Sequence, residues 1–533
     1  MSESPRPPPA KVVPAEIKAA SDVSGASETS PDAPTNSPTP SREGMTHASL
    51  PPSPSTASDR EAAVERGRLA RRASVVGAGT LGSRVLGLVR DQVMAAVFER
   101  GITDAFFVAF TLPNVLRQVL AEGAVQSAVL PVLSQTRERD GDPAARSFFA
   151  AMRGVSLTLL AVVSVLGVLL APQLVTLFAG GFRDLPGQFE RTVELTRWVF
   201  PYIFCMGTAA LGMAALNTYQ RFAVAAFAPA LLNLAFIACS FGLPGTLRER
   251  GLDPALALAF AVLIGGVLQV VAQWPSLRAI GFLNRPSLDL NHPGVRDVAR
   301  RMVPVLFGMG VYYVDVLLAR RLLSGLGLGA QSYFSWALRL CDFPQGIFVM
   351  ALQTAALPNL SRLAARGDTA EFSRTFAFGL RLALFVALPA TAVCVALAHP
   401  LVIVLFQRGA FDPESAHETA RALVAQGSGI WLVAAVRQLV SAYYALGDTR
   451  RPTQVAALDL VAFIVAALAL RGPLGHVGVG AAVAISSGVQ ALLLWRGLRS
   501  RLLGSDRAQI RRSILIHGSC SVLGGLCAAG FAS

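Results

Sequence analysis

The chain has 533 residues, of which 53% are hydrophobic and only 15% charged, and its mean hydropathy is +0.51. That balance excludes a soluble globular protein of this length and places most of the chain in a lipid bilayer. The net charge of +14 does not point to nucleic acid, because the arginines sit mostly between apolar runs, where they orient helices.

Residues 1–70 are rich in Pro, Ser, Ala and Thr. This segment is expected to be a disordered cytoplasmic tail. It lacks the apolar core of a secretory signal. Arg71, Arg72, Ala73 and Ser74 resemble a basic-directed phosphorylation site, although a plain basic flank to the first helix explains them as well.

From residue 74 onward, apolar runs alternate with short polar breaks. At roughly 20 residues per span, helices are predicted at 74–98, 104–134, 148–172, 194–216, 222–244, 253–276, 302–323, 331–360, 375–397, 417–446, 452–470, 476–495 and 513–531. The fold class is therefore an all-α, multi-pass membrane protein of about thirteen spans. Arginines crowd one alternating set of loops, around 66–72, 137–146, 278–301, 362–366, 450–451 and 496–501. The other set, such as 99–103, 324–330 and 471–475, holds few charges. This bias predicts a cytoplasmic N-terminus.

Within the first two spans stand Arg84, Arg90, Asp91, Arg117 and Glu122. A charge near the centre of a span costs roughly 2.5–3.5 kcal/mol even on lenient insertion scales. Several in one helix pair imply a watery cavity or an anionic ligand, and hence a cationic transport site inside the membrane. Asn114 and Arg117 share a helix face, as do Ser83 and Arg90. Arg84 lies roughly 120° from Arg90 around the helix, so both reach a cavity only if the helix bends or the cavity wraps it. Asp315 and Asp459 are acids within the seventh and eleventh spans and are candidates for coupling transport to Na⁺ or H⁺.

Other chemistry is poorly supported. Gly77, Gly79 and Gly82 form GxGxxG, but an Arg-rich stretch and not a strand precedes them, so close helix packing is the better reading. The six cysteines and six histidines show no CxxC or HExxH spacing, so no metal site, disulfide or cofactor is expected. No nucleophile or acid–base constellation stands out, which favours a transporter over an enzyme.

The chain also repeats itself. QSAVLPVLS at 126–134 recurs as QTAALPNLS at 353–361, about 227 residues on. Leu177–Phe182 matches Leu405–Phe411 with a small slip, and Ala215–Arg221 matches Ala445–Arg451. The unit is a six-helix bundle. Six is an even number, so both copies insert with the same orientation and meet at an interface suited to a substrate. The expected organisation is an N-lobe at 71–290, a C-lobe at 291–500 and an additional C-terminal helix at 501–533.

Several motifs carry a family resemblance: Gly82–Gly87, Val89–Asp91, Thr103–Phe110, Leu112–Arg117 and Ala121–Ala124. With them go Asn217–Thr218, Arg221–Phe222, Ala228–Asn233, Arg339–Leu340 and Asp342–Pro344. Over about 74–500 the chain resembles the MurJ/MviN family, within the superfamily of multidrug, oligosaccharidyl-lipid and polysaccharide exporters. The resemblance implies a flippase for lipid II, the undecaprenyl-diphosphate-linked disaccharide-pentapeptide, working by alternating access between the leaflets for cell-wall synthesis. It implies substrate-binding arginines at Arg84, Arg90, Arg117 and Arg339. The polar positions it implies are Ser83, Asp104, Asn114, Glu122, Ser332 and Asp342. Leu338 stands where members can carry an acid, and Asp342 where some have Glu. Members commonly have fourteen helices, one more than counted here.

The expected partners are thus lipid II and membrane lipids, with cell-wall synthesis or division proteins as further partners for the tail, and no nucleic acid. Arginine forks suit a diphosphate in a low-dielectric cavity because they bind it bidentately and stay charged. Two alternatives are a flippase for another polyprenyl-diphosphate-linked oligosaccharide, and a non-transporting scaffold of the cell-wall machinery.

Overall fold

A computed structural model describes residues 77, 79, 81–118 and 126–532. The expected tail at 1–70 and Glu122 lie outside the described residues. Every regular element among the described residues is helical.

The first span is α1, residues 81–97. The second is α2 (Arg100–Arg117), continued by the first part of α3 (Gln126–Leu169). Gly141, with φ 81° and ψ 179°, breaks α3 into the end of the second span and the whole of the third. Glycine alone enters that conformation without strain. The short α4 (Ala171–Ala179) follows. The fourth span is α5 (Gln188–Val199) and α6 (Tyr202–Thr218), interrupted at Phe200–Pro201, where proline ends the amide ladder. α7 (Phe222–Gly242), the short α8 (Pro244–Glu249) and α9 (Leu256–Ala279) complete the first lobe.

The second lobe opens with α10 (Pro293–Leu323). Its eighth span is α11 (Ala330–Pro344), a π-helical turn at Gln345–Val349, and α12 (Met350–Ala365). Next come α13 (Thr369–Ala396), the short α14 (Ala398–Phe406), and the interrupted pair α15 (Pro413–Gly427) and α16 (Ile430–Ala445). α17 (Arg450–Leu474) and α18 (His476–Leu498) close the lobe, and α19 (Gly504–Ala532) packs along α13.

All thirteen expected spans have helices in place. Several begin earlier than predicted, by the widest margins at Gln188 against 194, Pro293 against 302, Thr369 against 375 and Gly504 against 513. Each added turn is polar or charged, so hydropathy read it as loop.

The repeat is visible in the breaks. Each lobe has a short helix after its third span, beginning at Ala171 and Ala398, 227 residues apart. Each then has a split fourth span. α6 and α16 end in the same backbone motif. Gln220 (φ 58°) and Gly447 (φ 73°) hold the left-handed position after the cap. Arg221 N–H donates to Leu216 O at 2.8 Å and Gln220 N–H to Asn217 O at 3.0 Å. Asp448 N–H donates to Tyr443 O, and Gly447 N–H to Tyr444 O, both at 3.0 Å. This double bond pattern satisfies the last carbonyls of a helix. It pairs Gln220 with Gly447, which moves the sequence match of Ala215 with Ala445 by three residues and restores the 227-residue spacing.

Eight of the helical spans among the described residues are long and apolar enough to cross a membrane by themselves. The fifth, apolar over the shorter stretch Phe227–Gly242, is not among them, and nor are the first, second, seventh and eighth. The last four carry Arg84, Arg90 and Asp91, then Asp104 and Arg117, then Asp315 and Arg320, then Arg339 and Asp342.

One apolar core joins the lobes at the end of the bundle where α1 turns into α2. It brings Met94, Phe98 and Phe106 of the first lobe against Trp336, Phe406 and Phe411 of the second. At the opposite end, Phe148, Phe149 and Phe282 form a core with the start of α10, and Phe372, Phe376 and Tyr443 form a separate core in the second lobe. Trp336 is 2% exposed and packs edge-on to Phe107, with centroids 4.8 Å apart. Trp336→Ala is expected to cost about 3–5 kcal/mol and to lower the thermal unfolding temperature in detergent. Leu166→Ala, on the outward face of α3 at 49% exposure, is the matched control and is expected to leave it unchanged.

Candidate functional site: an arginine-lined cavity between the lobes

A cavity of about 1200 Å³ lies between the lobes. Its first-lobe wall comes from α1, α2, α6, α7 and α9, and its second-lobe wall from α11, the π turn, α13, α14 and α16. Of the expected site residues, Ser83, Arg84, Arg90, Asn114, Arg117, Arg339 and Asp342 all line it.

The cavity wraps α1. Arg90 faces the first lobe, where its Nη1 donates to Asn233 Oδ1 at 3.3 Å and its guanidinium lies 5.2 Å from the Phe236 ring centre. Asn233 Nδ2 in turn donates to Ser83 O at 3.0 Å. Arg84, on the other side of the helix, packs against Gly346 in the second lobe. The angle between the two arginines, which excludes a flat site, is accommodated because α1 stands between both lobes.

Asp91 is the charge partner that holds this arrangement. Its side chain is 3% exposed. Oδ1 accepts from Arg90 Nε at 2.9 Å and Nη2 at 2.6 Å. Oδ2 lies 2.6 Å from Arg339 Nε across the lobe interface. That second contact is poorly aligned for N–H donation and leaves Oδ2 without a directed hydrogen bond, so it acts as a charge contact. With the apolar Leu338 beside it, Arg339 is paired from the opposite lobe. On α2, Arg117 Nε donates to Asn114 Oδ1 at 2.9 Å, as their shared face predicts. Five arginines (Arg84, Arg90, Arg117, Arg339 and Arg437) stand around the space against two carboxylates, Asp91 and Asp342. The site is cationic and suited to a multiply charged anion.

Asp104 and Ser332, expected on the cavity wall, lie elsewhere. Asp104 is 13 residues from Arg117, about 20 Å along the helix, and is 0% exposed. It accepts from Gly329 N–H at 2.6 Å, Ser332 N–H at 2.7 Å and Ser332 Oγ–H at 2.6 Å. A carboxylate of the first lobe therefore caps the N-terminus of α11 in the second, where unsatisfied amides and the helix dipole favour negative charge. Thr103 Oγ1 lies 2.6 Å from Ser332 Oγ. Nearby, Arg100 Nη2 reaches Asp412 at 3.2 Å and Glu414 at 2.9 Å, and Ala410 N–H donates to Ala96 O at 2.7 Å. These contacts seal the lobes together at the Arg100 end, away from the cavity.

Asp315 and Asp459 also lie off the cavity, on α10 and α17, which pack together. Asp315 Oδ1 and Asp459 Oδ1 are both buried with no hydrogen-bond partner among the described residues. Ser486 of α18 stands beside Asp459.

The polar cavity residues that the sequence reading does not single out include Asn217, Asn233, Gln269 and Arg437. The first two stand inside the family motifs. Arg437, in IWLVAAVRQLV, carries the same signal as Arg84, a lone arginine within an apolar run. Gln269 carries no signal, being one amide in an apolar helix.

Asp104→Asn turns an all-acceptor group into one whose NH₂ faces a backbone N–H, at an expected cost of about 1–3 kcal/mol. Thermal unfolding at neutral pH checks this, and an unchanged midpoint contradicts the cap.

A family model described as lipid II flippase MurJ matches residues 94–532. Lipid II flippase MurJ of Burkholderia cenocepacia is 35% identical over 461 residues, covering 85% of this chain and 89% of the relative. Probable lipid II flippase MurJ of Vibrio cholerae serotype O1 is 35% identical over 439 residues, covering 81% and 83%. Among solved structures, the fold is similar to a lipid II flippase MurJ in an inward closed conformation. The TM-score is 0.70 at 20% identity, over 86% of this chain and 97% of that one. It is also similar to an inward-facing multidrug resistance MATE family transporter of the MOP superfamily, with a TM-score of 0.64 at 14% identity over 81% and 95%. With the family model matching 94–532 and this identity along most of its length, the chain belongs to the lipid II flippase MurJ family.

Proposed function

We propose that the protein carries lipid II from the inner to the outer leaflet of the cytoplasmic membrane, by alternating access of the cavity between its lobes. The observation that carries this reading is the set of arginines around Asp91. A diphosphate brings two or more negative charges and oxygen acceptors in bidentate geometry. It can replace Asp91 as the partner of Arg90 and Arg339, one from each lobe, with Arg117 alongside. Binding then exchanges one charge contact across the interface for another, and the lobes are free to rock. The polyprenyl tail stays in lipid while the head group crosses. The N-terminus lies in the cytoplasm, and the sealed Arg100 end faces outward. Membership of a flippase family supports transport over catalysis, and every cavity contact above is one of binding and none of bond-making.

A second reading concerns energy coupling. Two acids on adjacent helices, each with a buried unpartnered oxygen and a hydroxyl beside one of them, suit a small hard cation or a proton. Asp315, Asp459 and Ser486 would hold it, and it would supply a gradient-driven bias to the lobe equilibrium. Asp459→Asn is expected to abolish any dependence of flipping on a Na⁺ or H⁺ gradient while leaving lipid II binding intact. Gradient-dependent flipping that survives the substitution contradicts the assignment.

Complementation of bacteria depleted of their own lipid II flippase tests the main reading. Wild type is expected to rescue growth, while Arg90→Ala and Arg117→Ala at matched expression fail. Rescue by all three contradicts the cationic site. Failure of well-expressed wild type contradicts the cargo.

A further inference from the structure

The arginines of the cavity are not one cluster. Arg90 and Arg339 share Asp91, and Arg117 is hydrogen-bonded to Asn114. Arg84 and Arg437 stand apart, on the second-lobe side, around Asp342. The Asp342 carboxylate feels Arg339, Arg437 and Arg84 together, yet forms no ion pair within 4 Å with any of them among the described residues. The guanidinium of Arg437, half-buried on α16, likewise has no hydrogen bond or ion pair among the described residues; the residue's carbonyl accepts from Ser441 Oγ.

The backbone is shaped to let Arg84 reach this wall. Gly346 lies in the π turn at Gln345–Val349, one helical turn after Asp342 on the same face. A Cβ built on Gly346 would stand 2.6 Å from Arg84 Cζ, well inside contact distance. Any side chain at 346 therefore displaces the guanidinium. Single π turns inside α-helices recur at functional sites, and this one places a glycine where the first lobe's arginine crosses to the second.

Charge decides what such a place takes. Arg339 is engaged by Asp91, so two guanidinium groups remain against one carboxylate, an excess of one positive charge. That matches one carboxylate and falls short of a diphosphate. We propose that Arg84 and Arg437 form a second anion subsite, distinct from the Arg90–Asp91–Arg339 diphosphate site, that holds a carboxylate of the head group's peptide. The proposal rests on the lipid-linked peptide cargo above. It makes this wall the part of the cavity that tells a complete head group from a bare polyprenyl diphosphate.

The test measures binding to purified full-length protein in nanodiscs, with three ligands: undecaprenyl diphosphate, lipid II, and lipid II with its peptide C-terminus amidated. Arg437→Gln is expected to weaken lipid II by about tenfold or more, the loss of a charged hydrogen bond, and to leave undecaprenyl diphosphate within about twofold. Amidated lipid II should bind wild type as weakly as lipid II binds the variant. Arg437→Lys, which keeps the charge but not the fork, should recover part of the loss, and Gly346→Ala should reproduce the Gln phenotype by displacing Arg84. Equal weakening of all three ligands makes Arg437 a phosphate ligand and overturns the proposal, as does no weakening in variants with wild-type unfolding temperatures. Wild type that binds undecaprenyl diphosphate and lipid II equally well overturns it by a different route, since it faults the cargo reading itself.

Discussion

The structure depends on the electrostatics of Asp91. A carboxylate 3% exposed inside a membrane bundle is sustained only by opposite charge, and it draws on Arg90 from its own helix and Arg339 from the other lobe. Removing both would leave an uncompensated buried charge at a cost of several kcal/mol, whereas removing Arg339 alone leaves Asp91 paired with Arg90. The same logic explains why the first, second and eighth spans tolerate charges that would bar them from spanning lipid alone. Their charged faces meet one another and a shared cavity, while apolar neighbours cover the rest. Asp91 has a charge partner in each lobe while the site as a whole keeps an excess of positive charge, and under the proposed function an arriving anion takes the place of Asp91 between them.

The remaining architecture serves that exchange. The lobes share an aromatic core and a buried helix cap at one end, and keep separate cores at the other. Asp104 is the counterpart of Asp91: both are first-lobe carboxylates reaching into the second lobe. Asp104 meets backbone amides at the sealed end, with three hydrogen bonds of 2.6–2.7 Å. Asp91 meets a side chain that can move. The cap at Ser332 and the ion pair at Arg339 meet α11 seven residues apart, about two helical turns. Each lobe's split fourth span, repeated with its cap motif, places α6 and α16 symmetrically on the two cavity walls.

Much of this is legible in the sequence because membrane helices obey few rules. Length, apolarity and arginine-bearing breaks located all thirteen spans, and intramembrane arginines marked the cavity. What was missed has physical causes. Charged first turns at Gln188, Pro293 and Thr369 look like loop, since hydropathy cannot distinguish a solvated helix end from a turn. Asp104 resembles a cavity acid because composition records its charge but not its depth along α2. Arg437 was overlooked although it carries the signal used for Arg84. The π turn at Gln345–Val349 has no sequence signature, and neither does the approach of Arg84 to Gly346. Both arise from the packing of α1 between the lobes.

The most direct measurement of the central claim follows flipping in vesicles reconstituted with purified protein and fluorescent lipid II, reading head-group accessibility from outside. Wild type is expected to translocate the lipid. Arg339→Gln, which breaks the contact between the lobes at Asp91, is expected to abolish translocation in a protein that remains folded. Translocation at the wild-type rate by Arg339→Gln would contradict the cationic transport site, because the arginines shared by both lobes would then play no part in carrying the substrate.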